Sequence, residues 1–96
     1  MKFEWDEDKH RANIEKHGVS FEDASKIFEG FTLDAIDDRF PYGEERIISL
    51  GRLGEVVVLV VVHTERDGVC RIISARQANR KERKRYDETI QKALEC

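Results

Sequence analysis

Seven cations fall between Arg71 and Arg85 (Arg71, Arg76, Arg80, Lys81, Arg83, Lys84 and Arg85) against the single acid Glu82, so this stretch carries +6 while the rest of the chain carries −9. Segregation on that scale marks one part of the surface for an anionic partner. Arginine is the side chain best suited to a phosphate, because its planar fork matches two oxygens and stays charged at any working pH. Arg76, Arg80 and Arg83 are the leading candidates. Upstream, His63 follows the apolar run Val56–Val62, and an imidazole can both take and give a proton near neutrality. Together these residue types can neutralise charge on a phosphoryl group and move protons beside it. A solvated basic helix with no ligand is the plain alternative.

The elements that must position these residues follow from the pattern around them. Val56–Val62 is an unbroken, mostly β-branched run of strand length, Asp67-Gly68 is a hairpin-turn dipeptide, and Cys70–Ala78 reads as the returning strand. Alternation along that strand places Arg71 and Arg76 on opposite faces. Asn79 then caps a helix to about Leu94, with Tyr86, Ile90, Ala93 and Leu94 on one side. Earlier, Asp6 caps a helix over Glu7–His17 that Gly18 closes, and Ser20-Phe21-Glu22-Asp23 opens a second helix over Phe21–Phe28. Leu33–Ile36 and Glu44–Leu53 read as strands around a turn-rich loop, Asp37 to Gly43, and Phe3-Glu4-Trp5 suits an edge strand or an aromatic lid. The expectation is an α+β fold in one domain over residues 1–96: two N-terminal helices, an antiparallel sheet of about four strands and a C-terminal helix.

Composition excludes several classes. At 40% apolar and 39% charged residues with one Pro, the chain is globular rather than disordered or fibrous. Its longest apolar run is far short of a membrane span, and the first residues lack a signal peptide's apolar middle, so a cytoplasmic location and no membrane association are expected. Cys70 and Cys96 have no metal-ligand spacing and no expected disulfide, and Asp34, Asp37 and Asp38 read as a turn rather than a metal site. No metal and no cofactor are expected.

The segments FEWDEDKHRANIEKHGVSFEDA, GEERIISLGR and VVVHTERDGVCRIISARQANRKERKRY resemble, in order and spacing, the BrnT toxins of bacterial type II toxin–antitoxin systems. The resemblance spans nearly the whole chain. It implies a RelE-like fold, a metal-independent endoribonuclease that inhibits translation by cutting RNA, and a BrnA-like antitoxin partner. That partner's DNA-binding domain would make the operator contacts, so DNA would be reached only indirectly, through a hetero-oligomer of the two proteins.

On that likeness the 2′-hydroxyl attacks the adjacent phosphorus, and the protein assists by deprotonating it, neutralising the phosphorane and protonating the leaving 5′-oxygen. The expected catalytic set is His63, Arg76, Arg80, Arg83 and, from the KHG motif, Lys16. Arg66, Arg71, Lys81 and Lys84 are expected to hold the RNA backbone. Each has a plainer reading. Arg80 and Arg83 would pair with Glu82, Asp87 or a neighbouring strand, His63 would be a hydrogen-bonded rim residue, and Lys16 would complement a helix dipole. Tyr86 is either a proton donor to the leaving group or part of the core, while Glu45 and Glu65 rank below His63 because Arg46 and Arg66 would hold them ionised. The second function class is a non-catalytic module whose basic face binds RNA or protein.

Overall fold

The computed structural model describes residues 1–39 and 41–95. Five strands, Lys2–Glu4 (β1), Thr32–Asp37 (β2), Arg46–Leu53 (β3), Val57–Arg66 (β4) and Val69–Gln77 (β5), form one sheet in the order β1-β5-β4-β3-β2. Glu7–His17 (α1), Phe21–Ser25 (α2) and a 3-10 turn over Lys26–Glu29 precede β2, and Arg80–Glu95 (α3) follows β5. The sheet is therefore mixed, with five strands rather than four antiparallel ones, because β1 pairs in parallel with Val69–Arg71 at the start of β5. Three residues at the start of the chain carry too little periodicity to announce a partner 67 positions away. Cys96 lies outside the described residues, as does Phe40 of the loop after β2.

Local signals account for most boundaries. The Asp6 carboxylate accepts from the N–H groups of Asp8 and Lys9, and Gly18 ends α1 in the left-handed region at φ 71°. Asp67 and Gly68 both adopt positive φ, the I′ geometry that returns β4 directly into β5. The sequence helix over Phe21–Phe28 tightens at Lys26 into the 3-10 turn, which packs Ile27 directly on Gly51 of β3.

The main apolar cluster lies on one side of the sheet. Leu59, Val61, Cys70, Ile72 and Ala75 pack there against Val19, Phe21, Ala24 and Ile27. Cys70, Ile72 and Ala75 share that side in spite of their odd spacing because a bulge at Val62/His63 leaves Ile73 as an extra residue in β5. The same bulge moves Arg71 and Arg76 onto one face, the other one, where they stand opposite Thr64 and Val60 respectively. Simple alternation had put them on opposite faces, and the inserted residue overturns it.

α1 docks by polar groups. Its Ile14 is 43% exposed, whereas His10 and Asn13 are buried. The Asn13 amide donates to the carbonyls of Val19 (2.9 Å) and Ala75 (2.8 Å) and accepts from the Ala75 N–H (3.1 Å). It thus completes the outer edge of β5 beyond the reach of β1. Asn13→Ala leaves these buried groups unpaired and is expected to lower unfolding free energy by about 2–4 kcal/mol in urea denaturation. Gly51→Ala, whose new Cβ would sit 2.6 Å from Ile27 Cβ, is expected to cost about 1–3 kcal/mol by overpacking.

Candidate active site

Strand register defines the face opposite the core. Across its middle run Ala35, Ile48, Val62 and Ser74, then Leu33, Leu50, Val60 and Arg76, most of them half-buried or exposed. One margin is polar: Asp37, Arg46, Thr64, Arg71 and Glu4 form a row across all five strands. The other margin is closed by α3, which crosses the strand ends. Its buried Tyr86 donates to the Phe31 carbonyl (2.7 Å), Asp87 pairs with Arg52 (3.3 Å), and Arg83 donates to the Val56 carbonyl (2.5 Å). An apolar floor between two charged margins results.

Arg76 is the best-fixed cation on this face. Its Nη1 and Nη2 each donate at 2.8 Å to the two oxygens of Glu82. Glu82 is held in turn by the start of α3: the Asn79 N–H donates to its Oε1 (2.9 Å) while Asn79 Oδ1 accepts from the Glu82 N–H (2.8 Å), a reciprocal capping box. Hydrogen bonding to Glu82 raises the Arg76 pKa, and the same bonds lower that of Glu82. Nη1 also donates to the Gln77 carbonyl (3.3 Å), which leaves Nε and the second N–H of Nη2 for an anion. From the sequence Asn79 is a cap and Glu82 a partner for Arg80 or Arg83; the Asn-x-x-Glu spacing of a capping box and the pairing with Arg76 were missed.

The remaining expected residues are distributed unevenly. Arg80 and Lys81 are exposed in the first turn of α3 and form no ion pair among the described residues, while Lys84 approaches Glu88 at 3.9 Å. Arg71 pairs with Glu4 (2.7 Å) and Arg66 with Glu44 (3.2 Å) along the polar margin. Arg83 is spent on the Val56 carbonyl rather than on Glu82 or Asp87. Lys16 is exposed in the last turn of α1, within the helix layer. Tyr86 is a core residue.

His63 does not join the arginines. It lies on the core face, edge-on to Phe28 with ring centroids 4.9 Å apart. Its Nε2 is 2.7 Å from Ser49 Oγ, and Ser49 donates its one proton to Asp34. The imidazole must therefore be the donor at Nε2, and Nδ1 is left as an acceptor toward the Cys70 thiol at 3.7 Å. Burial lowers the His63 pKa against the opposing pull of Asp34 and Glu65, and burial pushes the Cys70 thiol up to about 11. The result is a chain of hydrogen bonds from the Cys70 thiol through a neutral imidazole and the Ser49 hydroxyl to the exposed Asp34 carboxylate. The expected convergence of imidazole and guanidinium fails because β4 presents Val60 and His63 to opposite sides.

A family model described as "Ribonuclease toxin, BrnT, of type II toxin-antitoxin system" matches residues 5–82, and the chain belongs to that family. It is thus a toxin component of a type II system, of a class named for ribonuclease activity, with an antitoxin as its implied partner. Among solved structures, it is similar to the Brucella abortus ribonuclease toxin BrnT, with a TM-score of 0.64 and 26% identity over 83% of this chain and 99% of that one. No curated protein matches. No helix of the described residues is long and apolar enough to cross a membrane, and no group of three or more His, Cys, Asp or Glu among them is arranged to hold a metal ion.

Because the folded Glu82 carboxyl lies below its ordinary value, its contribution to stability is complete above the unfolded carboxyl pKa of about 4.3 and is lost as pH falls through the folded value. Glu82→Gln is expected to cost about 1 kcal/mol at neutral pH. Urea midpoints measured downward from neutrality should fall more steeply for wild type than for the variant once pH drops below about 4.3.

Proposed function

We propose that this chain is a metal-independent endoribonuclease that lays RNA across the open face of its sheet, with Arg76 as the guanidinium that neutralises the phosphorane. The observation that carries this reading is the fork of Arg76, fixed in plane by Glu82 at 2.8 Å on both nitrogens and facing the same side as Arg71. A preorganised cation loses no orientation energy as charge develops in the transition state. Arg80, Lys81 and Lys84 on α3 track the strand's phosphates as it leaves the site. Placing catalysis on the face away from the N-terminal helices matches the RelE-like arrangement that the resemblance implies.

In this scheme the 2′-oxygen bonds to phosphorus and gives its proton to a carboxylate, the bond to the 5′-oxygen breaks, and that oxygen takes a proton from water, leaving a cyclic phosphate and a 5′-hydroxyl. His63 takes no part, since its two ring nitrogens are occupied beneath the helix layer. The ionised carboxylates of the open face, Glu82 and Glu44, are the available acceptors for the 2′-proton, and both have pKa values lowered by their hydrogen bonds, to Arg76 and to Thr64 first. A BrnA-like antitoxin silences the toxin by covering this face, and the complex meets DNA through the antitoxin. One observation favours a binding-only module instead: the Arg76 guanidinium is already paired and, among the described residues, no imidazole shares its face.

RNA cleavage by the purified chain in EDTA separates the two readings. The catalytic reading expects cutting to persist, with Arg76→Ala slowing it by about 2–4 kcal/mol in transition-state terms while the fold is retained. RNA retention without any cutting would leave only the binding module. Lys84→Ala should chiefly weaken RNA binding and reduce its salt slope by about one. His63→Ala should lower the melting temperature and leave kcat unchanged.

A further inference from the structure

The two borders of the sheet are finished in different ways. On one side β1 runs only from Lys2 to Glu4, and Asn13 takes over from it along β5, so that border is short and partly closed. β2 is the other border. It pairs with β3 in six consecutive antiparallel steps from Thr32 to Asp37 without a bulge, and it contains no proline, lysine or arginine. Every second residue of such a strand turns its N–H and C=O away from its neighbour. Among the described residues, no hydrogen bond from another part of the chain reaches the outward backbone groups of residues 32–36. A regular border without bulge, proline or lysine is a ready template for one more strand.

The side chains along it narrow down what that strand can be. Asp34, Ala35 and Ile36 are exposed, Ile36 to 64%. Asp34 and Ile36 stand two residues apart on the side of the sheet that carries the helices, in register with Ser49 and Ile47. Oδ1 of Asp34 accepts from the Ser49 hydroxyl, which steadies the carboxylate, and Asp34 forms no ion pair among the described residues. Asp38, also exposed, continues the acidic run. A border of this charge repels nucleic acid. A second copy of the chain fits poorly too: in the two longest two-fold registers of β2 against itself, Asp34 falls opposite either Asp34 or Ile36 of the other copy, and no cation is supplied. The complement of this border is a strand with a basic and an apolar residue at the same spacing.

We propose that an extended segment of the antitoxin, carrying a basic and an apolar residue two positions apart, adds to β2 as a sixth strand. Backbone pairing supplies the attachment, and Asp34 and Ile36 select the sequence. The proposal rests on the antitoxin reading above, in which the partner covers the open face. A strand at this border lies beside Leu33 and Ala35, at the rim of the apolar floor, and from there the partner's chain can continue across the face that holds Arg76.

The test is residue-resolved amide hydrogen exchange on this chain alone and in complex with its co-expressed antitoxin, together with binding titrations and thermal melts of wild type, Ile36→Lys and Asp34→Asn. Strand addition is expected to slow exchange of alternate amides within residues 32–36 by at least about 100-fold, because each gains a hydrogen-bonding partner. Ile36→Lys should weaken the complex about tenfold or more, through lost apolar burial and repulsion of the partner's cation. Asp34→Asn, which keeps an acceptor for Ser49 but not the charge, should weaken it about threefold, with the difference from wild type shrinking as salt rises. Unchanged β2 exchange in a complex that forms would overturn the added strand and leave the antitoxin reading standing, as would wild-type affinity in folded Ile36→Lys. Protection of the same amides in the chain alone, with a doubled mass, would assign the border to a second copy instead. If a variant is unstable, exchange in the wild-type complex decides alone. If no complex forms, the antitoxin reading fails and this proposal with it.

Discussion

The amide of Asn13 is the contact on which the rest of this fold depends. Strand β5 needs an outer neighbour, and β1 supplies one only as far as Arg71. Beyond that point the backbone of Ala75 would face solvent or an apolar layer with its N–H and C=O unpaired. Asn13 answers both groups and the carbonyl of Val19 as well. One side chain thereby ties α1, the connection to α2 and the edge of the sheet into a single unit. It also fixes the strand that delivers Arg71 and Arg76 and hands the chain to α3.

With β5 held, the bulge at Ile73 divides the labour between the two faces. Apolar residues and the Cys70–His63–Ser49 chain go beneath the helices, and the arginines go to the open side. The sorting has an electrostatic logic. Uncharged hydrogen-bonding groups can be buried at modest cost when paired, whereas guanidiniums keep access to water and to anions. Where carboxylates are drawn inside, as at Asp37, each is matched by a fork that remains partly exposed. The polar margin and the α3 margin therefore both present oriented cations to whatever crosses the floor.

How much of this could be read from residues alone follows from how local each signal is. The caps at Asp6 and Ser20, the glycine at the end of α1 and the Asp67-Gly68 turn act within a few residues, and all appear where the sequence placed them. The parallel pairing of β1, the burial of His10 and Asn13 in place of Ile14, and the extra residue at Ile73 depend on distant partners. No periodicity reports those. The basic stretch correctly marked the region of the charged margin, yet it scattered across two elements, and the bulge and strand alternation, invisible in composition, decided that Arg76 and His63 would never meet. Glu82 was readable in principle through its spacing from Asn79.

The double engagement of Glu82 has a kinetic corollary. The carboxylate that orients Arg76 is the same one that starts α3, so fraying of that first helical turn and loosening of the guanidinium are a single event. Helix ends open more readily than cores. A binding protein that unwinds residues 79–82 would thus release the Arg76 fork while the strand pairing stays in place.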